Sequence, residues 1–509
     1  MPIPAQALPH RPSFRSWLGL TVLMLPVLLV TVDNTIVGFA LPRIAEALRP
    51  SASQQLWMID AYSLVLAGLL VSMGSLGDRL GHRKLLLIGA LGFTVVSVLT
   101  ACSQTAAQLI AGRAVMGVFG AMLMPSTLAL IRSLFEEREQ RRLAVAIWAT
   151  TLTVGSALGP LIGGVLLSFF HWQAIFLLAV PVLVPLLVLG PCLLPESNPE
   201  PAGRLDSSSI LQSMLALGGL VFAIKHVASE GPDGLAGGVL CIALLAGGAF
   251  VRRQGRLATP LMDLGLLRNG AFAGSVMVNL LSLAFLIGFM FCVTQLLQIV
   301  LQLSVLQASL ALVPGQLLAI IVGMLVVPIA RRVQAHRLVP SLLGFIALAF
   351  LLVAGLGSSL VTLIVAFALL NVGVGAIATV SNDLVLAAAP PSKAGAASAI
   401  SETAYEIGVV LGTTVLGGVV TAYYRSALQV PDTLTVIQGQ LVRETLAGAQ
   451  VVAGELPIEQ AGELMRLANR AFENGVQGMA WGAIVLAVMA MALSWRSLGK
   501  RQESTQSIA

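Results

Sequence analysis

The sequence predicts an all-α integral membrane protein with fourteen transmembrane helices, and three observations support this. The 509-residue chain is 57% hydrophobic and only 10% charged, where soluble domains carry about 25% charged residues. Its apolar residues gather into fourteen runs, most of them near the 20 or so residues that one helical crossing needs. Basic residues concentrate in alternate connecting segments, the signature of positive-inside insertion.

The runs lie near 17–41, 54–76, 84–103, 106–131, 143–168, 172–194, 208–228, 235–251, 271–297, 307–330, 338–357, 360–386, 394–422 and 475–495. The first is too long for a signal-peptide core and has no small-residue cleavage site before the polar stretch beyond Pro42, so it is expected to stay as a helix. With the N-terminus inside, the cytoplasmic segments hold 21 of the 29 Lys and Arg and the external side seven, counting Arg43, Arg49 and Lys225 there; Arg113 lies within a span. Both termini are therefore expected in the cytoplasm. The net charge of +6 is not gathered on one soluble face, so no nucleic-acid partner is expected. Cys102, Cys192, Cys241 and Cys292 stand in apolar segments without ligand spacing, which reads as core packing, with no disulfide or metal site. No P-loop, Rossmann or hydrolase pattern occupies a cytoplasmic loop, and ATP-driven transport by this chain is unsupported.

One long external segment, 423–474, precedes the last span. Its stretches "TLTVIQGQLVRETLAGAQVV" and "PIEQAGELMRLANRAF" have helical apolar spacing broken at Gly454 and Pro457, which predicts a helical hairpin over the alternative of a solvated linker.

After the second span comes "GSLGDRLGHRK", Gly74 to Lys84. Insertion topology explains Arg79, Arg83 and Lys84 but not Asp78 or the glycines at 74, 77 and 81. Glycine permits close approach and positive φ, and a carboxylate beside a helix N-terminus is favoured by the dipole; a latch between helix bundles is one physical use. The Gly-x-x-x-Asp-Arg-x-Gly-x-Arg/Lys form of Gly74, Asp78, Arg79, Gly81, Arg83 and Lys84 resembles the loop 2–3 signature of the major facilitator superfamily. A degraded copy, "ARRVQAHR" at 330–337, lacks the acid and the glycine. The resemblance implies a six-helix bundle over 1–195, an inserted transmembrane hairpin (spans 7 and 8) over 196–260, a second six-helix bundle over 261–500 and a cytoplasmic tail at 501–509.

Span 4 contains "LIAGRAVMGVFGA", where Gly112, Gly117 and Gly120 thin the helix around Arg113. An intramembrane arginine marks function by default, against the alternative of a side chain snorkelling to the interface. At about 1.5 Å per residue, Arg113 and Asp33 of span 1 both fall roughly 10–13 Å below the external end, so they are expected to pair directly or through water. The superfamily resemblance links an arginine here to proton handling. In span 5, "VGSALGPLIGG" repeats Gly155, Gly159 and Gly163 every fourth residue, with Pro160 and Gly164 beside them. That makes a smooth packing face with a bend, and it also resembles the superfamily's antiporter motif.

Asp33 is accompanied by Asp60 in "WMIDAYSLV" and by Glu402 and Glu406 in "SAISETAYEIGVVLG". The two glutamates are four residues apart and share a helix face. A charge at mid-bilayer costs about 2.5–3.5 kcal/mol even on the lenient insertion scale, so four carboxylates call for a use. Burial favours the neutral carboxyl, and an arriving cation favours the ionised one; that competition is cation–proton antiport in its simplest form. Trp57, Tyr62 and Trp148 are candidates for cation–π contacts, although Trp57 reads better as part of an interfacial belt, and Tyr405 adjoins the acidic pair. Asp383, near the end of span 12, reads as solvated at the boundary.

The stretches "VDNTIVGFALP", "WMIDAYSLV" and "AAAPPSKAGAASAISETAYEIGVVLG" resemble the fourteen-span drug:proton antiporters, especially pumps for quaternary ammonium compounds and methyl viologen. The resemblance implies a bacterial inner-membrane exporter of lipophilic cations, dyes and viologens, working as a monomer with protons as the coupling ion and no cofactor. It implies that Asp33 and Asp60 serve coupling or substrate charge and that Glu402 and Glu406 face the central cavity; taken with the residues themselves, Asp33, Arg113 and Glu406 are expected in proton coupling, and Asp60, Glu402, Glu406, Tyr405 and Trp57 at the substrate. Two departures stand out: Ser401 replaces an acid found in some relatives, and span 10 has none. An exporter or symporter of an organic anion or metabolite is the first alternative and needs basic groups in the cavity, where only Arg113 is expected. A non-transporting membrane sensor or scaffold is the second, and it leaves the four carboxylates without a role.

Overall fold

The computed structural model describes residues 14–499, apart from 136, 197–205, 258–259, 261, 391–393 and 432; the tail at 501–509 lies outside the described residues. Among the described residues, fourteen helices are long and apolar enough to cross a membrane. They are Phe14–Leu48, Ala52–Leu80, His82–Ala101, Ala106–Leu134, Glu139–Phe169, Ala174–Leu193, Ser207–Ala228, Gly234–Gln254, Gly270–Val300, Val305–Ala330, Ala335–Leu356, Leu360–Val385, Ala397–Ala427 and Ile458–Gly499, spans 1 to 14 in order. An even number of crossings puts Phe14 and Gly499 on the same face, called the terminal end; the opposite face is the hairpin end.

Even-numbered spans begin at the hairpin end, and several open on capping boxes. Ser51 with Gln54, Thr105 with Gln108, and Ser304 with Gln307 each exchange two side-chain bonds with the first-turn backbone, satisfying donors that the helix leaves open. Within spans 1 to 6, span 1 packs on span 5 and span 2 on span 4; within spans 9 to 14, span 10 packs on span 12 and span 11 on span 14. The two groups meet through spans 5 and 10 and through spans 2 and 13.

Spans 7 and 8 pack chiefly on each other and stand at the periphery. Only 17% and 11% of the residues in their most apolar windows are buried, against 61% for spans 1, 2 and 13. At the terminal end Asp206 caps span 7 and binds Arg253 of span 8 at 2.8–3.1 Å. Those bonds from the guanidinium hold the Asp206 carboxyl well below the usual carboxylate range. Span 7 also touches spans 2 and 13, so the hairpin reaches both bundles.

The segment before span 14 holds two short helices, Val436–Glu444 and Leu446–Ala453. The second patterned stretch is not a separate arm, because it runs unbroken into span 14, a helix of 42 residues. Pro457 stands at the start of that helix, its carbonyl accepting from Ala461 at 2.9 Å, and residues 458–499 contain no proline to interrupt it. Tyr424 donates to the carbonyl of Val442 at 3.0 Å, and Arg425 pairs with Glu444 at 3.0 Å. Glu444 in turn accepts from the backbone of Ala52 at 2.9 Å, and Arg49 lies 3.2 Å from Glu455. This segment therefore ties the start of span 2 to the opposite bundle.

Spans 9 and 13 each contain a π-turn, at Leu296–Val300 and Gly412–Gly417. Such wider turns inside membrane helices often mark functional positions.

Candidate functional site

Asp33 and Arg113 meet as the depth argument predicts: the Arg113 guanidinium donates from Nη1 to Asp33 Oδ2. Its Nε donates to the Met58 carbonyl at 3.1 Å, and its Cζ stands 4.5 Å from the Tyr62 ring centroid. Both side chains are almost wholly buried, at 1% and 5% exposure, which favours a paired arrangement over two isolated charges. Glycines of span 4 make the approach possible. A Cβ at Gly117 would lie 2.6 Å from the Tyr62 carbonyl oxygen, and one at Gly120 would lie 2.8 Å from its hydroxyl.

Asp60 has a partner that the sequence reading put elsewhere. Lys225, counted there among the external bases, is fully buried within the helix of span 7, and its Nζ lies 2.8 Å from Asp60 Oδ2. The same ammonium sits 4.0 Å above the Trp57 ring, and Asp60 Oδ2 also accepts from Thr414 of the π-turn in span 13 at 2.9 Å. Trp57 packs with Leu64, Val221 and Val410 rather than standing free in an interfacial belt. Arg113 is thus not the only base in the interior, although both bases face carboxylates. The cation–π partners of Tyr62 and Trp57 are the protein's own cations, while Trp148 is buried in the first bundle and donates to Thr127 at 3.1 Å.

The span 13 acids are compensated less. Glu406 Oε1 accepts from Asn34 Nδ2 of span 1 at 3.2 Å, and Asn34 Oδ1 accepts from Ser63 of span 2 at 3.1 Å. Among the described residues, Glu406 Oε2 has no hydrogen-bond partner. One turn earlier, Glu402 is half-buried, and among the described residues no ion pair reaches either acid. Tyr405 is half-buried too and packs on Leu283, Ile287 and Val409. Ser401 accepts from Asn279 at 3.3 Å and donates to Asn382 at 3.2 Å, so a polar network surrounds the residue before Glu402. Asp383 is exposed.

The glycine motif of span 5 seats the helix that carries Asp33. A Cβ at Gly155 would stand 1.9 Å from Thr31 Oγ1, and one at Gly159 only 1.8 Å from Thr35 Oγ1; Gly163 faces Ile36. Gly164 instead faces span 10 of the other bundle, where a Cβ would lie 2.2 Å from Ser309 Oγ and 2.7 Å from its Cβ. Pro160 is buried beside them. Further contacts between the bundles are Asn34–Glu406, Asp60–Thr414, Gln298 to the Phe39 carbonyl at 3.1 Å, and the two ties to Glu444 and Glu455. These contacts run from mid-membrane to the hairpin end and join the two bundles there. Gly164→Ala is therefore expected to force spans 5 and 10 apart at an overpacking cost of about 1–3 kcal/mol. An impermeant maleimide should then label a cysteine at Gly38 several-fold faster, with Ser309→Gly reversing the gain; unchanged labelling would count against this seam.

The loop between spans 2 and 3 holds its own bundle. Gly81, at φ 90°, makes the turn that other residues resist,. Asp78 Oδ1 lies 3.0 Å from His82 Nε2 and the Asp78 side chain is 55% exposed. Arg83 donates to the carbonyls of Pro191 and Leu194 at 3.2 Å and lies 3.0 Å from Glu196, gripping the end of span 6. Gly74 and Arg79 are half-buried beside it.

Asn34, Ser63, Thr414 and Lys225 are the site residues that sequence reasoning missed. Asn34 adjoins Asp33 in the same apolar run, and Lys225 interrupts "GGLVFAIKHVAS" as the lone charge; both were visible as intramembrane polar residues.

The profile of the Major Facilitator Superfamily matches residues 23–413. The chain is 49% identical to the "Multidrug efflux pump LfrA" of Mycolicibacterium smegmatis, over 95% of this chain and 96% of that protein. It is 31% identical to the "Methyl viologen resistance protein SmvA" of Salmonella typhimurium, over 96% and 99% respectively. Among solved structures, a bacterial homologue of the human lysosomal transporter Spinster, in an inward-facing and unoccupied conformation, superposes with a TM-score of 0.63 at 16% identity, covering 96% of this chain and 97% of that one; this likeness concerns the fold.

Proposed function

The chain belongs to the Major Facilitator Superfamily, and from that premise we propose that it is a proton-coupled secondary transporter that expels lipophilic cations from a bacterial cell across its inner membrane. The multidrug and methyl viologen relatives support that substrate class. With the terminal end in the cytoplasm, as the distribution of Lys and Arg favours, the arrangement joined at the hairpin end is the one that loads substrate from inside. The coupling groups all lie on one chain, which supports a monomer as the transporting unit.

The observation that carries this reading is Glu406: a carboxylate that, among the described residues, has one oxygen without a hydrogen bond and no ion pair, tied through Asn34 to the helix that carries Asp33. Glu402 and Glu406, one turn apart, attract a cation together and repel each other when both are charged. A cation entering beside Glu402 and Tyr405 favours ionisation, and the displaced proton leaves toward the loading side. After the bundles rock to open the hairpin end, a proton arriving from outside favours the neutral carboxyl and the cation departs. Asp33 takes part by exchanging a proton against its bond to Arg113. Each proton moving inward gains about 2.3 kcal/mol per 100 mV of membrane potential. The loop from Gly74 to Lys84 sets the balance between the two states through its hold on span 6. An organic-anion carrier would need an unpaired interior base, and Arg113 and Lys225 both face carboxylates.

Purified protein in vesicles with an imposed pH gradient tests the reading. Tetraphenylphosphonium should move against its gradient in exchange for protons, and Glu402→Gln should weaken its binding by up to about a hundredfold while sparing neutral lipophilic drugs. A charge pair 5 Å apart at an effective dielectric of 20 is worth about 3 kcal/mol, which sets that limit. Equal losses for charged and neutral drugs would argue against Glu402 as the charge partner.

A further inference from the structure

Lys225 sits where a ligand's cation would sit. Its Nζ has Asp60 Oδ2 at 2.8 Å on one side and the Trp57 ring centroid at 4.0 Å on the other. Thr414 donates to the same carboxylate oxygen at 2.9 Å, while Asp60 Oδ1 lacks a hydrogen-bond partner among the described residues. A carboxylate and an indole face converging on one ammonium form a recognition set for an organic cation, and Trp57 and Asp60 present it from one face of span 2. Three residues further along span 2, Ser63 bonds Asn34, which bonds Glu406. That site is thus linked through span 2 and Asn34 to Glu406 of span 13. Its occupant comes from the inserted hairpin, whose spans are otherwise peripheral.

We propose that Lys225 is an internal ligand filling a second organic-cation subsite at Asp60 and Trp57, and that it thereby selects against substrates with a second cationic centre. The inference rests on the reading of Glu402 and Glu406 as the place of the first centre. Arg113 neutralises Asp33 and Lys225 neutralises Asp60, so the span 13 acids are the carboxylates left for substrate charge. A second cationic centre, as in a viologen, meets the Lys225 ammonium instead of a free acid. Removing that ammonium frees Asp60 and the Trp57 face together.

The test compares binding of tetraphenylphosphonium and decamethonium to purified full-length protein. Lys225→Met retains the length of the side chain without its charge. The affinity for decamethonium relative to tetraphenylphosphonium should rise about tenfold, the scale of one desolvated cation–π and charge contact. Lys225→Arg should leave the ratio near that of the parent, and adding Asp60→Asn to Lys225→Met should abolish the rise. An unchanged ratio in Lys225→Met, or a rise that survives Asp60→Asn, overturns the proposal. If Lys225→Met does not fold, Lys225→Ala supplied with n-butylammonium decides instead: a gain in Tm that disappears with Asp60→Asn supports the subsite, and no gain overturns it. Tetraphenylphosphonium binding that ignores Glu402→Gln would fault the first site rather than this one.

Discussion

Asp33→Asn is expected to abolish uphill efflux in vesicles carrying an imposed pH gradient, while tetraphenylphosphonium still binds within a few-fold of the parent. The variant retains an acceptor oxygen for Arg113 but cannot exchange a proton. It also leaves the buried guanidinium without an anionic partner, and breaking such a pair from one side costs about 3–5 kcal/mol. Stability should therefore fall along with transport, and the two losses must be separated. Adding Arg113→Gln removes the orphaned charge, so the double variant should regain much of the lost Tm and none of the transport. If efflux returns with stability, Asp33 and Arg113 serve folding alone. Normal proton-driven efflux in Asp33→Asn would remove Asp33 from coupling altogether.

Glu406→Gln should separate binding from proton movement. The amide oxygen can still accept from Asn34, so the contact between spans 1 and 13 is retained while the exchangeable proton is lost. Tetraphenylphosphonium trapped inside vesicles should then exchange with labelled tetraphenylphosphonium outside at close to the parental rate. Net export driven by a pH gradient should fall to the background of empty vesicles. Equal loss of exchange and export would make Glu406 a general support of span 13.

The pairing of Asp33 with Arg113 was legible because helix rise converts sequence position into depth, and two opposite charges at one depth on neighbouring helices have few other partners. The seating of span 1 on Gly155 and Gly159 was half legible: a four-residue glycine repeat announces a packing face but not which helix fills it. Lys225 was misread for a physical reason. Counting bases by side treats a lysine near a helix end as a marker of topology, yet its long stem can carry the ammonium inward to a carboxylate as readily as outward to water. The polar start of span 14 hid in the same way, since apolar spacing does not report whether a helix continues from a surface segment into the membrane. The π-turn that brings Thr414 to Asp60 has no periodic signature of its own, because its register depends on neighbours such as Ala284, whose carbonyl oxygen would lie 2.4 Å from a Cβ at Gly412.

The competition between cation and proton at span 13 is tested most directly by proton release. Tetraphenylphosphonium is added to purified protein in weakly buffered detergent solution near pH 7, and the pH change is recorded together with the amount bound, for the parent and for Glu406→Gln side by side. The parent should release protons in proportion to the cation bound, and Glu406→Gln should bind the cation with little or no release. Binding without proton release in the parent, or release from Glu406→Gln equal to that of the parent, would contradict the exchange of proton for cation at Glu406.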